Sequence, residues 1–144
     1  MTAVRFENGK RVIRGWDRVF DALSAEPRRQ LVLSLSDRPA DEPVSLPETA
    51  INPNVPPDPE ALRRELYHCH LPMLEDAGYI EWETDPLVAR RGSRFDEVAV
   101  VLESLQATAT EIPDPLVVGC QRLERERQVR SEDPEKNSDG SLTR

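Results

Sequence analysis

The stretch that decides the fold runs from residue 58 to residue 83 and spells DPEALRRELYHCHLPMLEDAGYIEWE. It opens with a favourable N-cap, Asp58, followed by a proline at the first helical position. The apolar spacing predicts a helix from Pro59 to about Ala77, and Gly78 stands where a left-handed C-cap is needed. The segment Tyr79–Glu83 then nearly alternates apolar and acidic residues, as β-strands do. The stretch therefore predicts a long helix that leads directly into a strand.

Two shorter helices are predicted upstream of this stretch. From Trp16, apolar residues recur at three- and four-residue spacing, which indicates an amphipathic helix that ends near Ser24. Pro27 then begins a second helix, to about residue 36, which presents Arg28 and Arg29 to solvent and buries Leu31, Val32 and Leu35. Residues 1–15 are expected to form a flexible polar lead-in.

The remaining elements are short. Six prolines between Asp37 and Asp58 exclude a long helix and leave room for a strand at 44–46 and one helical turn at 47–51. A turn at 84–86 predicts that residues 87–90 return as the second strand of a hairpin. Helices are predicted from Phe95 to about Thr108 and from Leu116 to Val129, and residues 131–144 are expected to be a disordered acidic tail.

Composition limits the class of protein. The 144 residues suffice for one domain, and the net charge is −8, with only two lysines among the 19 basic residues. Such acidity favours a halophilic cytoplasm, although an ordinary acidic protein fits as well. The longest apolar run, Val98–Leu102, is far shorter than the roughly 18–20 residues that span a bilayer. With no signal-peptide pattern and two cysteines, we expect a cytoplasmic protein, not a secreted, membrane-spanning or disulfide-stapled one.

The predicted element order is helix, helix, short strand, small helix, long helix, hairpin, helix, which is that of the winged helix-turn-helix. The tract His70–Ile80 resembles the signature of ArsR-like winged-helix regulators, and Leu66–Pro72 resembles the version common in haloarchaeal members. Phe20–Arg29 resembles the first corner of that family. The resemblance covers about residues 16–95. It implies a mainly α fold with a small β-hairpin (α+β) and a role as a DNA-binding transcription regulator.

Residues 16–110 are therefore expected to form the winged helix-turn-helix domain. The helix from Phe95 to Thr108 carries apolar residues on more than one side, which makes it the expected dimer seam. A C-terminal helix within residues 111–130 is a candidate extension of this seam. The expected partners are a second copy of the chain and a pseudo-palindromic double-stranded DNA with half-sites about 10 base pairs apart.

The long helix divides into two sides at about 100° per residue. One side is apolar and is made of Leu62, Leu66, Cys69, Met73 and Ala77. The other side carries side chains that bind base edges and phosphates, and we predict that it contacts DNA through Arg63, Arg64, Tyr67 and His68. A solvated helix face is the alternative. Leu71 and Leu74 fit neither side, so either Pro72 resets the helical phase or the second half is buried all round, which the family pattern favours.

Arginines on the return side of the hairpin predict a wing that contacts phosphate. They are Arg90, Arg91 and Arg94. The alternative is that they pair with acidic residues across the hairpin, at Glu81, Glu83 or Asp85. Residues 1–94 hold 13 basic against 16 acidic residues, while residues 95–144 hold 6 against 11. The candidate DNA-binding part is therefore the less acidic part.

Neither a metal site nor a catalytic site is predicted. His68, Cys69 and His70 are consecutive, so on one helix they point about 100° apart and cannot converge on one ion. We expect Cys69 in the core, His70 in helix packing, and no cofactor. No phosphate loop, nucleophile elbow or catalytic grouping occurs, so an enzyme is not expected. The alternative to a DNA-binding homodimer is a winged-helix module that binds another protein.

Overall fold

A computed structural model describes residues 2–132 as a mainly helical chain with a three-stranded antiparallel sheet. Its elements are α1 (Thr2–Leu23), α2 (Glu26–Ser36), β1 (Val44–Ser45), α3 (Pro59–Glu65), a π-helical segment (Leu66–His70), α4 (Leu71–Asp76), β2 (Ile80–Glu83), β3 (Val88–Arg91), α5 (Phe95–Ala107) and α6 (Gln121–Glu132). Single 3₁₀ turns lie at Glu48–Ala50 and Asp114–Leu116. From Pro59 to Asp76 the helical chain is continuous, and we call this the long helix.

The N-terminal helix is longer than the sequence predicts. The structure begins α1 at Thr2, so residues 2–15, expected as a flexible lead-in, are its first turns. Their apolar side chains, among them Phe6 and Ile13, are exposed. The prediction of a flexible lead-in was wrong because it began the helix at Trp16, whereas the apolar spacing continues towards the N-terminus through Ile13 and Phe6.

The sheet joins the proline-rich segment to the hairpin. Strands β2 and β3 form the predicted hairpin, with Ile80 opposite Arg91 and Glu83 opposite Val88. Strand β1 pairs antiparallel with β3, which gives the strand order β1-β3-β2. The short first strand therefore closes the sheet on the side opposite β2.

One apolar core lies between the helices and the sheet. Helices α1, α2 and α5 pack on one another, and α4 packs on β2. The largest fully buried side chains include Leu31, Leu35, Leu66, Leu71, Leu74, Tyr79, Ile80, Phe95 and Val98. Among residues 2–132, no helix combines the length and apolar character that crossing a membrane requires.

The C-terminal helix begins later than predicted. Helix α6 starts at Gln121, and Leu116, expected on its apolar face, is exposed in the preceding 3₁₀ turn. Arg127 holds α6 to the loop after α5, since it donates to the carbonyls of Ala109 and Ile112 and to the carboxylate of Asp114. Of the predicted tail, residues 131 and 132 end α6, and the rest lies outside the described residues.

Pro72 resets the phase of the long helix. A proline cannot donate to the carbonyl four residues earlier and its ring crowds that carbonyl. The helix widens just before it, with the Leu71 N–H bonded five residues back to the Leu66 carbonyl. As a result Leu71 and Leu74 are fully buried, whereas Cys69 is exposed. The prediction that the second half of the long helix is buried on all sides was wrong, and so was the prediction that Cys69 lies in the core. The prediction that His70 packs between helices is confirmed.

Gly78 ends the long helix as predicted. Its φ of +83° is left-handed, and its N–H bonds the Glu75 carbonyl while the Tyr79 N–H bonds that of Leu74. A Cβ here would lie 2.9 Å from the Arg94 side chain. A glycine is therefore required at the point where the long helix turns into β2.

The shift in helical phase before Pro72 can be tested by comparing substitutions at Leu71 and Cys69. Leu71→Ala should lower the free energy of unfolding by about 2–5 kcal/mol, because it opens a cavity in the core. Cys69→Ala should lower it by less than about 0.5 kcal/mol, because that side chain is exposed. Guanidinium unfolding of both variants measures the difference. An unbroken α-helical phase would reverse the order of the two effects.

Candidate nucleic-acid interface

The first turns of the long helix present two arginines to solvent. Asp58 caps α3 by accepting from the Glu60 N–H, and Leu62 and Leu66 anchor its inner side in the core. Arg63 and Arg64 consequently lie on the outside and are exposed. Neither forms an ion pair with a carboxylate among residues 2–132. The N–H groups of both guanidinium groups are therefore free of carboxylates and can donate to an external anion or to the edge of a base.

The other two predicted residues of the long helix differ in exposure. His68 is exposed, whereas Tyr67 is half-buried and packs edge-on against Trp82 of β2, with ring centroids 5.8 Å apart. Trp82 in turn donates from Nε1 to Glu75 Oε1 at 3.3 Å. The Tyr67 ring therefore attaches the hairpin to the long helix, and only His68 is left as an outward-facing group beside the arginine pair.

The three predicted wing arginines do not form one patch. Arg90 pairs with Glu83 on the facing strand at 3.7 Å, which is the alternative that the sequence left open. Arg91 turns to α2, where its guanidinium donates to the carbonyls of Leu35 and Arg38. It also covers the Phe95 ring, 4.9 Å from its centroid. Nη2 of Arg91 is thus bonded within the fold, and its Nε is buried.

Arg94, the third of these, lies against α1. It bonds Glu97 at 3.2 Å and lines a shallow polar depression that it shares with Arg11, Arg14 and Arg18. This grouping was not predicted from the sequence, although the spacing of the three α1 arginines by three and four residues places them on one helical face. The hairpin itself presents more carboxylates than free guanidinium groups, since Glu81, Glu83 and Asp85 are all exposed.

A buried guanidinium, that of Arg28, fixes the middle of the long helix. The prediction that α2 presents Arg28 to solvent was wrong, because this side chain is only 6% exposed. Its Nε and Nη2 donate to the carbonyls of Ala22 and Asp21 at 2.9 Å, and Nη2 also reaches Ser24 Oγ. Its Nη1 lies 2.8 Å from Nδ1 of His70. The end of α1, the start of α2 and the long helix therefore meet at this one side chain.

The bond from Arg28 defines the state of His70. Because an arginine can only donate, Nδ1 must accept, which assigns the ring proton to Nε2 in a neutral imidazole. Nε2 faces Glu65 Oε1 at the longer distance of 3.5 Å. Burial and the neighbouring positive charge of Arg28 lower the pKa of His70 below its ordinary value of 6.5, against a smaller opposing effect of Glu65. The ring therefore stays neutral in the folded chain.

Among residues 2–132, neither cysteine lies in a cluster of potential metal ligands. Both thiols are free, with Cys69 exposed and Cys120 half-buried at the start of α6. Within the part of the chain that the structure describes, no three His, Cys, Asp or Glu side chains converge to hold an ion.

Comparison of the chain with models of protein families, with curated proteins and with solved structures finds no match.

The neutral state of His70 predicts a pH-dependent stability. As the pH falls below 6.5, the unfolded chain takes up a proton at His70 that the folded chain resists, so the free energy of unfolding decreases. The contribution of this one group is at most about 1.4 kcal/mol per pH unit. Urea unfolding at about pH 7.5 and about pH 5.5 measures it.

His70→Asn, which keeps an acceptor near the Nδ1 position, should have a smaller loss of stability on acidification than the wild-type chain. The matched variant His68→Asn changes an exposed imidazole on the same helix and should keep the wild-type loss. Equal pH dependence in all three proteins would show that Arg28 does not hold His70 neutral.

Proposed function

We propose that this chain is a winged-helix DNA-binding protein that regulates transcription, with the long helix as its major-groove element. The observation that carries the proposal is the pair Arg63 and Arg64, exposed and free of carboxylate partners among residues 2–132. They project from a helix whose other side is anchored in the core and whose C-terminal end leads directly into a hairpin.

The order of the elements supports the same proposal. A helix, a short strand, a single helical turn, a long helix and a hairpin follow one another, and β1 pairs with the returning strand of the hairpin. In winged-helix proteins this arrangement presents the long helix to the major groove and the hairpin to the flanking backbone. The contact between Tyr67 and Trp82 keeps the hairpin beside the long helix, as that mode of binding requires.

The proposed DNA contacts are fewer than the sequence predicts. Arg63 and Arg64 bind guanine edges or phosphates through paired N–H groups, and His68 donates to phosphate. Arg90 releases its ion-pair partner Glu83 and binds a phosphate of the DNA backbone in its place. Arg91 is left out, because its Nη2 is bonded to carbonyls of the chain itself and its guanidinium covers the Phe95 ring. Tyr67 acts by holding the hairpin.

The net charge of −8 is compatible with this function in concentrated salt. At molar ionic strength the Debye length is roughly 3 Å, so acidic groups outside the contact repel DNA only weakly. The proposal therefore includes a cytoplasm of high ionic strength and a homodimer bound to a pseudo-palindromic site.

A second candidate is a winged-helix module that binds a protein. The exposed carboxylates of the hairpin favour it, because Glu81, Glu83 and Asp85 repel phosphate but suit a basic protein surface. The two candidates differ in whether the purified chain selects a DNA sequence.

Replacing the arginine pair should remove DNA affinity without unfolding the chain. We expect Arg63→Ala/Arg64→Ala to weaken binding at least about tenfold, since each lost base contact is worth about 1–3 kcal/mol. If the two residues bind phosphate instead, the slope of the logarithm of the binding constant against the logarithm of the salt concentration should become less steep by roughly 0.9 for each residue. Fluorescence anisotropy at several salt concentrations measures both, with a duplex enriched from a random library by repeated capture on the wild-type protein.

The matched control is Arg38→Ala/Arg125→Ala, which removes the same charge from exposed positions outside the long helix. It should bind the selected duplex within about threefold of the wild type. Failure of the library to yield an enriched sequence, or equal binding by the two double variants, would exclude the DNA-binding proposal and favour the protein-binding candidate.

A further inference from the structure

Helix α1 carries an apolar stripe that no element among residues 2–132 covers. Its members are exposed to an extent unusual for side chains of their size: Phe6 63%, Ile13 61%, Trp16 49% and Phe20 58%. Contiguous apolar patches of this kind mark contact surfaces in proteins that remain in solution. The C-terminal residues 133–144 hold a single apolar residue, Leu142, so their sequence offers little to cover the stripe.

The stripe has the period of a coiled coil. Phe6, Ile13 and Phe20 are seven residues apart and occupy a positions, with Gly9 and Trp16 at the intervening d positions. Val19 and Ala22 of α1 enter the core of the same chain from a different face, and Leu23, at the d position after Trp16, is buried there as well, so the exposed stripe ends at Phe20. One helix thus presents one apolar face inward and a second, heptad-spaced face outward.

We propose that this stripe is a self-association surface, on which α1 pairs with α1 of a second copy as an antiparallel two-stranded coiled coil. The proposal gives the homodimer a contact surface other than the predicted seam on α5. It does not rest on DNA binding, because it would hold equally for a protein-binding module.

The sizes of the facing side chains favour the antiparallel direction. When Ile13 faces Trp16 of the second copy, Gly9 faces Phe20 of that copy, so the largest gap in the stripe receives an aromatic ring. A parallel pair would instead place Gly9 opposite Gly9 and Trp16 opposite Trp16, which leaves a void in one layer and crowds another. Trp16 and Phe20 already stack at 5.8 Å, so little side-chain freedom remains to be lost there.

The charges beside the stripe favour the same direction. Lys10 and Asp17 occupy e positions, and in the antiparallel pair Lys10 lies next to Asp17 of the second copy, twice by the two-fold symmetry. In a parallel pair Arg5, at a g position, would lie next to Lys10 of the second copy and repel it. The groove between α1 and α5, lined by Val12, Trp16 and Val100, continues the apolar surface.

A charge exchange tests the arrangement directly on the full chain. Sedimentation equilibrium in about 0.1 M salt, where exposed charges are screened less than in molar salt, should show a dimer for the wild type. Lys10→Asp and Asp17→Lys each create two like-charge contacts and should each weaken dimerisation roughly tenfold. The double variant Lys10→Asp/Asp17→Lys restores both pairs and should dimerise within about threefold of the wild type.

The apolar part of the surface has its own test. Ile13→Glu should make the chain monomeric, while Val118→Glu, at another exposed valine, should leave the dimer intact. Circular dichroism checks that both variants keep their helix. A monomeric wild type, or a dimeric Ile13→Glu variant, would overturn the proposal, and a charge exchange that fails to restore dimerisation would overturn the antiparallel pairing. Arg63→Ala/Arg64→Ala should remain dimeric, so loss of DNA binding is distinguished from loss of self-association.

Discussion

The guanidinium of Arg28 is the interaction on which the arrangement of the helices depends. It lies between the last carbonyls of α1, which have no partner within their own helix, and the imidazole of His70 in the long helix. Removing it would leave the buried carbonyl of Ala22 and the Nδ1 of His70 without this donor at the junction of three helices, at a cost of about 1–3 kcal/mol for each. The direction in which Arg63 and Arg64 project therefore follows from a residue far from them in sequence.

Arginine N–H groups also donate to the carbonyls of two further helix ends. Arg91 donates to carbonyls at the end of α2, and Arg127 donates to carbonyls just after α5. A guanidinium has five donors in a fixed plane and can serve two carbonyls at once, which a lysine ammonium does less well. Counting arginines therefore overestimates the cations available to nucleic acid.

The sequence predicts the elements better than it predicts their outward faces. Caps at Asp58 and Gly78 and the alternation after Gly78 locate the long helix and the hairpin, because those signals are local. The burial of Leu71 and Leu74 on one side depends on the widened helical turn before Pro72, which shifts every later side chain. The partners of Arg28 and Arg91 lie in other elements. A pattern along one helix cannot show such contacts, and it cannot show that the stripe from Phe6 to Phe20 is left uncovered.

The proposed surfaces divide according to how they respond to salt. Burial of the α1 stripe removes apolar area from water and needs no unscreened charge, so it supplies affinity at any ionic strength. Lys10 and Asp17 act at contact distance and mainly select the direction of pairing. Arg63 and Arg64 likewise act only on groups that they touch. A chain of net charge −8 can therefore combine self-association with nucleic-acid binding in concentrated salt, where long-range repulsion is suppressed and contact chemistry decides the partner.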